Sequence, residues 1–177
     1  MKFFLISFFV SCLFNHKAFS LDTIAKQAIL YDYETKTIIF EKNSEELMSP
    51  SSMSKIMTIY YVFKKIKDGD LKLTDKFKVS KKAWKKGGSK MFVNVNTMVS
   101  VEDLIRGIIV QSGNDACIAI AEGISGSEEL FAEELNLLAK EIGMMNSSFT
   151  NATGWPDPDH LTTIQDLLTL TVRTIED

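Results

Sequence analysis

The chain has 177 residues, 45% of them hydrophobic and 24% charged, with a net charge of −3. This is the composition of one ordinary globular domain and excludes a disordered chain. The mildly acidic balance also argues against nucleic acid as a partner.

Met1–Ser20 differs from the rest. Lys2 gives a positive start, Phe3 to Phe14 is almost wholly apolar, and Ala18-Phe19-Ser20 offers small residues at the spacing a signal peptidase reads. The segment reads as a cleaved secretory signal. A membrane span needs about 20 apolar residues, and this run ends at Asn15-His16-Lys17. The expected product is an exported protein, in the periplasm or on the outer face of the cytoplasmic membrane, with one domain over residues 21–177. Loss of Lys2 and Lys17 leaves 18 basic residues against 23 acidic ones, with Cys117 and His160 the sole cysteine and histidine. An internal disulfide, a histidine-based metal cluster and a Gly-rich phosphate loop are then excluded, so no cofactor is expected.

Residues 27–33 and 37–42 are β-branched and aromatic, with Glu34-Thr35-Lys36 between them, and predict a hairpin. After Pro50, a helix starts at Ser51 or Ser52. Met53, Ile56, Met57, Tyr60, Phe63 and Ile66 recur at helical steps as its apolar face, and Asp68-Gly69-Asp70 stops it. Residues 71–98 read as loop with short elements. Ser100-Val101-Glu102-Asp103 begins a second helix that ends near Ser112-Gly113-Asn114. A third covers Ala116 to Glu122 and is broken between Gly123 and Gly126; a fourth runs from Glu128 to Ile142, closed by Gly143. Residues 146–158 are irregular, and Thr162 to Glu176 predicts a last helix. Two strands followed mainly by helices give a mixed α/β (α+β) chain, and a lone hairpin needs a larger sheet or a helix against it.

Ser52-Met53-Ser54-Lys55 places a serine and a lysine three apart on one helix face. A serine hydroxyl becomes a nucleophile when a neighbouring base takes its proton, and lysine is such a base only while neutral. Lowering its pKa to 7 or 8 requires about 4 kcal/mol, supplied by burial and by another cation nearby. A helix N-terminus adds N–H groups that favour a developing oxyanion. Alone, the pattern is weak, since chance gives about 1.6 Ser-x-x-Lys and about 0.7 Ser-x-Asn matches in this composition. Each occurs once here, the second as Ser112-Gly113-Asn114 where a helix meets a turn.

The two patterns together resemble two of the three elements of penicillin-binding proteins and serine β-lactamases. Residues 50–58, Gly87-Gly88-Ser89-Lys90-Met91-Phe92, Val101-Glu102-Asp103-Leu104 and Ile109 through Ala116 are similar to the low-molecular-weight D-alanyl-D-alanine carboxypeptidases, the peptidase S11 family. So are Phe149 to Gly154 and His160-Leu161-Thr162-Thr163 with Asp166-Leu167. The resemblance implies a β-lactamase/transpeptidase-like fold and cleavage of the terminal D-Ala from peptidoglycan stem peptides. Ser52 would be the nucleophile, Lys55 its base, Ser112 a proton relay and Asn114 the holder of the substrate amide. β-Lactams would acylate Ser52, and peripheral membrane contact is a further expectation.

The third element, Lys-Thr-Gly on a strand beside the site, does not occur in the 177 residues. The expectation is a C-terminally shortened fold, a hairpin plus a mostly helical subdomain, in which Lys55 lacks the strand's second cation and is more solvated and protonated. A second reading follows: a non-catalytic remnant that binds peptidoglycan peptides or a partner. A β-lactamase fits less well, for lack of a Glu-x-x-x-Asn loop. His160 near Asp157, Asp159 and Asp166 suggests a triad but lacks a nucleophile elbow and reads as a structural loop residue. Cys117 reads as a core thiol, and the lysines between Lys72 and Lys90, with Trp84 among them, as a solvated surface.

Overall fold

The computed structural model describes residues 21–177; the segment read as a signal lies outside the described residues. β1 (Ala28–Asp32) and β2 (Thr37–Lys42) pair antiparallel, Ala28 opposite Lys42 and Asp32 opposite Thr37. The tip needs no Asn-Gly pair. Asp32 Oδ1 accepts the N–H groups of Glu34 and Thr35 at 3.0 and 3.2 Å, and Lys36 takes the left-handed conformation that closes the turn.

A 3₁₀ turn over Ser51–Met53 leads directly into α1 (Ser54–Lys67), which ends at Gly69 with φ +84°. Its buried stripe differs from the one the apolar spacing predicts. Met57 and Tyr60 are buried as that spacing predicts, but Met53, Ile56 and Phe63 are 41%, 39% and 44% exposed, and Tyr61 and Val62 are buried instead, together with Ser54, Lys55 and Thr58. Apolar periodicity cannot find a face whose polar members are satisfied by a distant loop, and Ser54, Lys55 and Thr58 are all bonded by residues 152–160.

β3 (Lys76–Lys78) pairs with β4 (Met98–Ser100), and α2 (Lys81–Lys85) lies between them in sequence. Ser100 caps α3 (Val101–Gln111) as its sequence predicts, accepting the Asp103 N–H at 3.1 Å. Ser127 and Thr163 cap α5 (Glu128–Glu141) and α6 (Ile164–Glu176) in the same way. The hairpin rests on α6, where Glu176 accepts from Lys36 at 2.6 Å.

α4 (Asn114–Ser125) runs through the centre, with every residue from Ala116 to Ile120 fully buried. A helix apolar on all sides must be surrounded, and α2, α3, α5 and β3 pack around it. Gly123 does not break it, contrary to the sequence reading; the helix continues to Ser125 and Gly126 closes it with φ +83°. Gly123 is there because Phe77 of β3 lies against it. A Cβ at that position would sit 2.1 Å from the Phe77 ring.

Phe131, Phe149, Met57 and Leu104 complete the core, each such burial contributing about 1.5–3 kcal/mol. Two short bridges, Met48 to Thr162 and Ser148 to Leu161, lay the loop after α5 across the start of α1. Among the described residues no helix is long and apolar enough to cross a membrane. Gly123→Ala overfills the Phe77 contact, and urea denaturation should show a loss of about 2 kcal/mol, with Gly126→Ala affected through its positive φ and not through a clash.

Candidate active site

Ser52 stands on the 3₁₀ turn and is exposed, while Lys55, in the first turn of α1, is 6% exposed. Lys55 Nζ is 3.1 Å from Ser52 Oγ and donates to the Thr153 carbonyl at 2.9 Å. Burial holds its pKa below the usual lysine value. Within the described residues Lys55 is thus buried and not open to solvent. The cover comes from inside the helical subdomain, from the Thr153 carbonyl on one side and the wholly buried Cys117 of α4 near it. Cys117 is a core thiol, its pKa pushed up to about 12 by burial.

The start of α1 is gripped by the loop over residues 149–160. Ser51 has φ +49°, a strained conformation for a residue with a side chain. Gly154 packs against it so closely that a Cβ would lie 1.7 Å from the Ser51 carbonyl oxygen. Thr58 Oγ1 donates to the Ala152 carbonyl at 2.8 Å. His160 is fully buried; its Nδ1 accepts the Thr150 N–H at 3.1 Å, so the ring proton sits on Nε2, which donates to Ser54 Oγ at 2.8 Å. His160 thus bonds to the serine beside the Ser-x-x-Lys lysine and not to a carboxylate. Desolvation holds it neutral, its pKa below the ordinary histidine value.

The loop is itself held from two directions. Asn151 Oδ1 accepts the N–H groups of Thr153 and Trp155 at 3.1 and 3.0 Å. Glu128, buried at the start of α5, accepts the Ala152 N–H at 3.3 Å and pairs with Lys82 of α2 at 2.9 Å.

Ser112 ends α3 in the left-handed conformation and lines one cavity of about 290 Å³ with Ser52, Lys55, Ile56 and Ile109. Asn114 does not line that cavity. Its Nδ2 donates to the Gly87 carbonyl at 2.8 Å and its N–H to the Ser89 carbonyl at 2.8 Å, joining the start of α4 to the loop over residues 87–93. The structure thus brings Ser52, Lys55 and Ser112 together and sets Asn114 at the neighbouring loop.

Sequence reasoning missed Asp115. Its fully buried carboxylate accepts the N–H groups of Met91, Phe92 and Val93 at 2.8, 2.9 and 3.2 Å. The available signal was an acidic residue at the start of an otherwise apolar helix, where such a group either caps or binds. Thr153 acts through its backbone carbonyl, for which side-chain chemistry carries no signal.

The fold matches solved D-alanyl-D-alanine carboxypeptidases and penicillin-binding proteins. The D-alanyl-D-alanine carboxypeptidase DacD of Francisella tularensis superposes with a TM-score of 0.86 at 39% identity, covering 89% of this chain and 38% of that one. Penicillin-binding protein 5 of Haemophilus influenzae superposes with a TM-score of 0.85 at 36% identity, covering 89% of this chain and 47% of that one. A third match, penicillin-binding protein D2 of Listeria monocytogenes, has ampicillin bound; its TM-score is 0.77 at 25% identity, over 89% of this chain and 64% of that one.

The family model for D-alanyl-D-alanine carboxypeptidases, peptidase S11, matches residues 15–177, and the chain belongs to that family. Relatives include DacF of Bacillus subtilis, 40% identical over 81% of this chain and 37% of its own length. DacC of Escherichia coli is 40% identical over 86% of this chain and 40% of its own. The chain thus spans about two fifths of the length of these relatives.

Two predictions concern the grip on α1 and the loop that Asp115 holds. As pH falls through 6.5 the unfolded chain takes a proton at His160 before the folded one does, so stability is full above that pH and is lost toward the depressed folded value. Urea titrations at pH 8 and pH 5 should show this fall, and His160→Gln should flatten it. Asp115→Asn weakens the three N–H contacts of a buried carboxylate and should destabilise by about 3 kcal/mol in the same assay.

Proposed function

We propose that the chain acts as a serine-type D-Ala-D-Ala carboxypeptidase, with Ser52 as nucleophile and Lys55 as its base. The observation that carries this reading is the buried Lys55 amine 3.1 Å from the exposed Ser52 hydroxyl. In its neutral form Lys55 directs one N–H to the Thr153 carbonyl, which leaves the nitrogen lone pair free for the Ser52 proton.

Ser52 Oγ attacks the carbonyl carbon of the penultimate D-Ala as Lys55 takes its proton. The tetrahedral intermediate collapses, the C–N bond breaks, and the terminal D-Ala leaves as its amine receives a proton relayed through Ser112. Water then adds to the acyl-enzyme, and its proton returns through Lys55 to Ser52. The α1 N-terminus lies beside the developing oxyanion and favours it. Asn114, through the loop it fixes, holds the substrate amide. A β-lactam enters the first half of this sequence and leaves Ser52 acylated.

The setting of the reaction follows from the substrate. Peptidoglycan stems lie outside the cytoplasm, in agreement with Met1–Ser20 acting as an export signal. The product is then a protein of the periplasm or the outer face of the cytoplasmic membrane, touching that membrane peripherally, with residues 21–177 forming part of a penicillin-binding domain.

Incubation with a fluorescent penicillin and mass spectrometry of the intact chain test the reading. A single adduct on the native chain, absent from Ser52→Ala, is expected. Lys55→Arg keeps a cation that does not deprotonate and should lower labelling by at least about a hundredfold. Because Lys55 must be neutral and its pKa is lowered, the acylation rate should rise with pH and level off below the ordinary lysine value of 10.5. Folded, soluble chain that forms no adduct overturns the proposal.

A further inference from the structure

Beside Asn114 the surface carries an aromatic ring and a cation that the mechanism above does not use. Trp155 follows Gly154, the residue packed on the Ser51 carbonyl, and its backbone is fixed at both ends by the side chain of Asn151, whose Oδ1 accepts the Trp155 N–H at 3.0 Å and whose Nδ2 donates to the Trp155 carbonyl at 3.0 Å. The indole is nonetheless 42% exposed. A large apolar side chain with a fixed backbone and an open face is a contact surface in waiting.

The ring faces the loop that Asn114 holds. A Cβ on Gly87 would be 3.7 Å from its Cη2, and one on Gly88 would be 3.3 Å from its Cζ3 and 2.7 Å from Asn114 Nδ2. Gly88 has φ +77°, and its backbone is packed between the indole and the amide too closely to admit a side chain. Lys86, one residue earlier, places its ammonium 4.2 Å from the centre of the indole. No carboxylate among the described residues pairs with Lys86, whereas Lys82 nearby is held by Glu128 and Glu129. A half-buried cation oriented by a ring and left without an anion can receive one from a ligand.

We propose that Trp155 and Lys86 form a specificity subsite next to Asn114 that takes an acidic segment of the stem peptide upstream of its D-Ala-D-Ala end. This rests on the carboxypeptidase reading, in which the scissile bond lies at Ser52 and the peptide continues past Asn114. The indole covers the apolar part of the segment. Lys86 meets its carboxylate, and the glycine pair lets the indole and Asn114 pack against one stretch of backbone, so that the subsite and Asn114 are held side by side.

The test compares two synthetic peptides ending in D-Ala-D-Ala, one with a free side-chain carboxylate three residues from the end and one with that group as the amide. Trp84→Phe leaves Trp155 as the single indole and serves as the background, with Ser52→Ala added to separate binding from chemistry. The acidic peptide should change the Trp155 fluorescence on binding and bind roughly fivefold more tightly than its amide. Lys86→Met should abolish that preference and Lys86→Glu invert it, while Trp155→Ala should weaken both peptides about tenfold. In the chain with Ser52 restored, penicillin labelling should persist in the Lys86 variants.

Equal binding of the two peptides, or a preference unchanged by Lys86→Glu, overturns the subsite even where Ser52 is labelled by penicillin. Absence of penicillin labelling together with an intact, Lys86-dependent peptide preference overturns the carboxypeptidase reading and leaves the subsite standing. A drop in thermal stability of Lys86→Met, with no change in peptide preference, assigns the pair to packing alone.

Discussion

The site depends on keeping one amine out of water. Lys55 Nζ lies between the Ser52 hydroxyl and the Thr153 carbonyl, and its use as a base requires that the charged form be disfavoured by several kcal/mol. A single neutral acceptor does not offset the lost hydration of an ammonium. The Thr153 carbonyl therefore binds the amine without restoring its charge, whereas a carboxylate in the same place would raise its pKa and remove the base.

Keeping that carbonyl in position occupies much of the remaining structure. Gly154 lets the backbone reach Ser51, His160 fixes Ser54, Thr58 bonds to Ala152, and Glu128 holds the Ala152 N–H from the opposite side. Each contact links an element to the loop over residues 149–160, and none lies within a single helix. α4 supplies the floor, with Cys117 beneath Lys55 and Asp115 tying down the second loop. Ser52, Lys55 and Ser112 stand at the ends of helices, and the irregular segments around them are bonded along their length.

Helix starts were legible where a side chain does the capping, as at Ser100, because the cap and the apolar run after it are written locally. The paired Ser52 and Lys55 were legible for the same reason, since three residues on a helix fix their distance. The buried face of α1 was not. It is partly polar, and its partners lie about a hundred residues away, so the periodicity of Met53, Ile56 and Phe63 pointed to the exposed side. Gly123 misled because its cause, the ring of Phe77, is contributed by a strand outside the helix. The burial of Lys55 was not legible because part of its cover is a backbone carbonyl.

The contact between Lys55 and Thr153 spans 98 positions, which bears on the order in which the protein forms. Local helices assemble quickly, whereas contacts of large sequence separation wait for loop closure. α1 can exist as soon as its own residues are available, with Ser52 and Lys55 already side by side, yet in that early helix the lysine is hydrated and charged. The contact with Thr153, and with it the burial of Lys55, forms only once residues 149–160 have docked. The wide separation thus places the desolvation of Lys55 late, after the helix that carries it has formed.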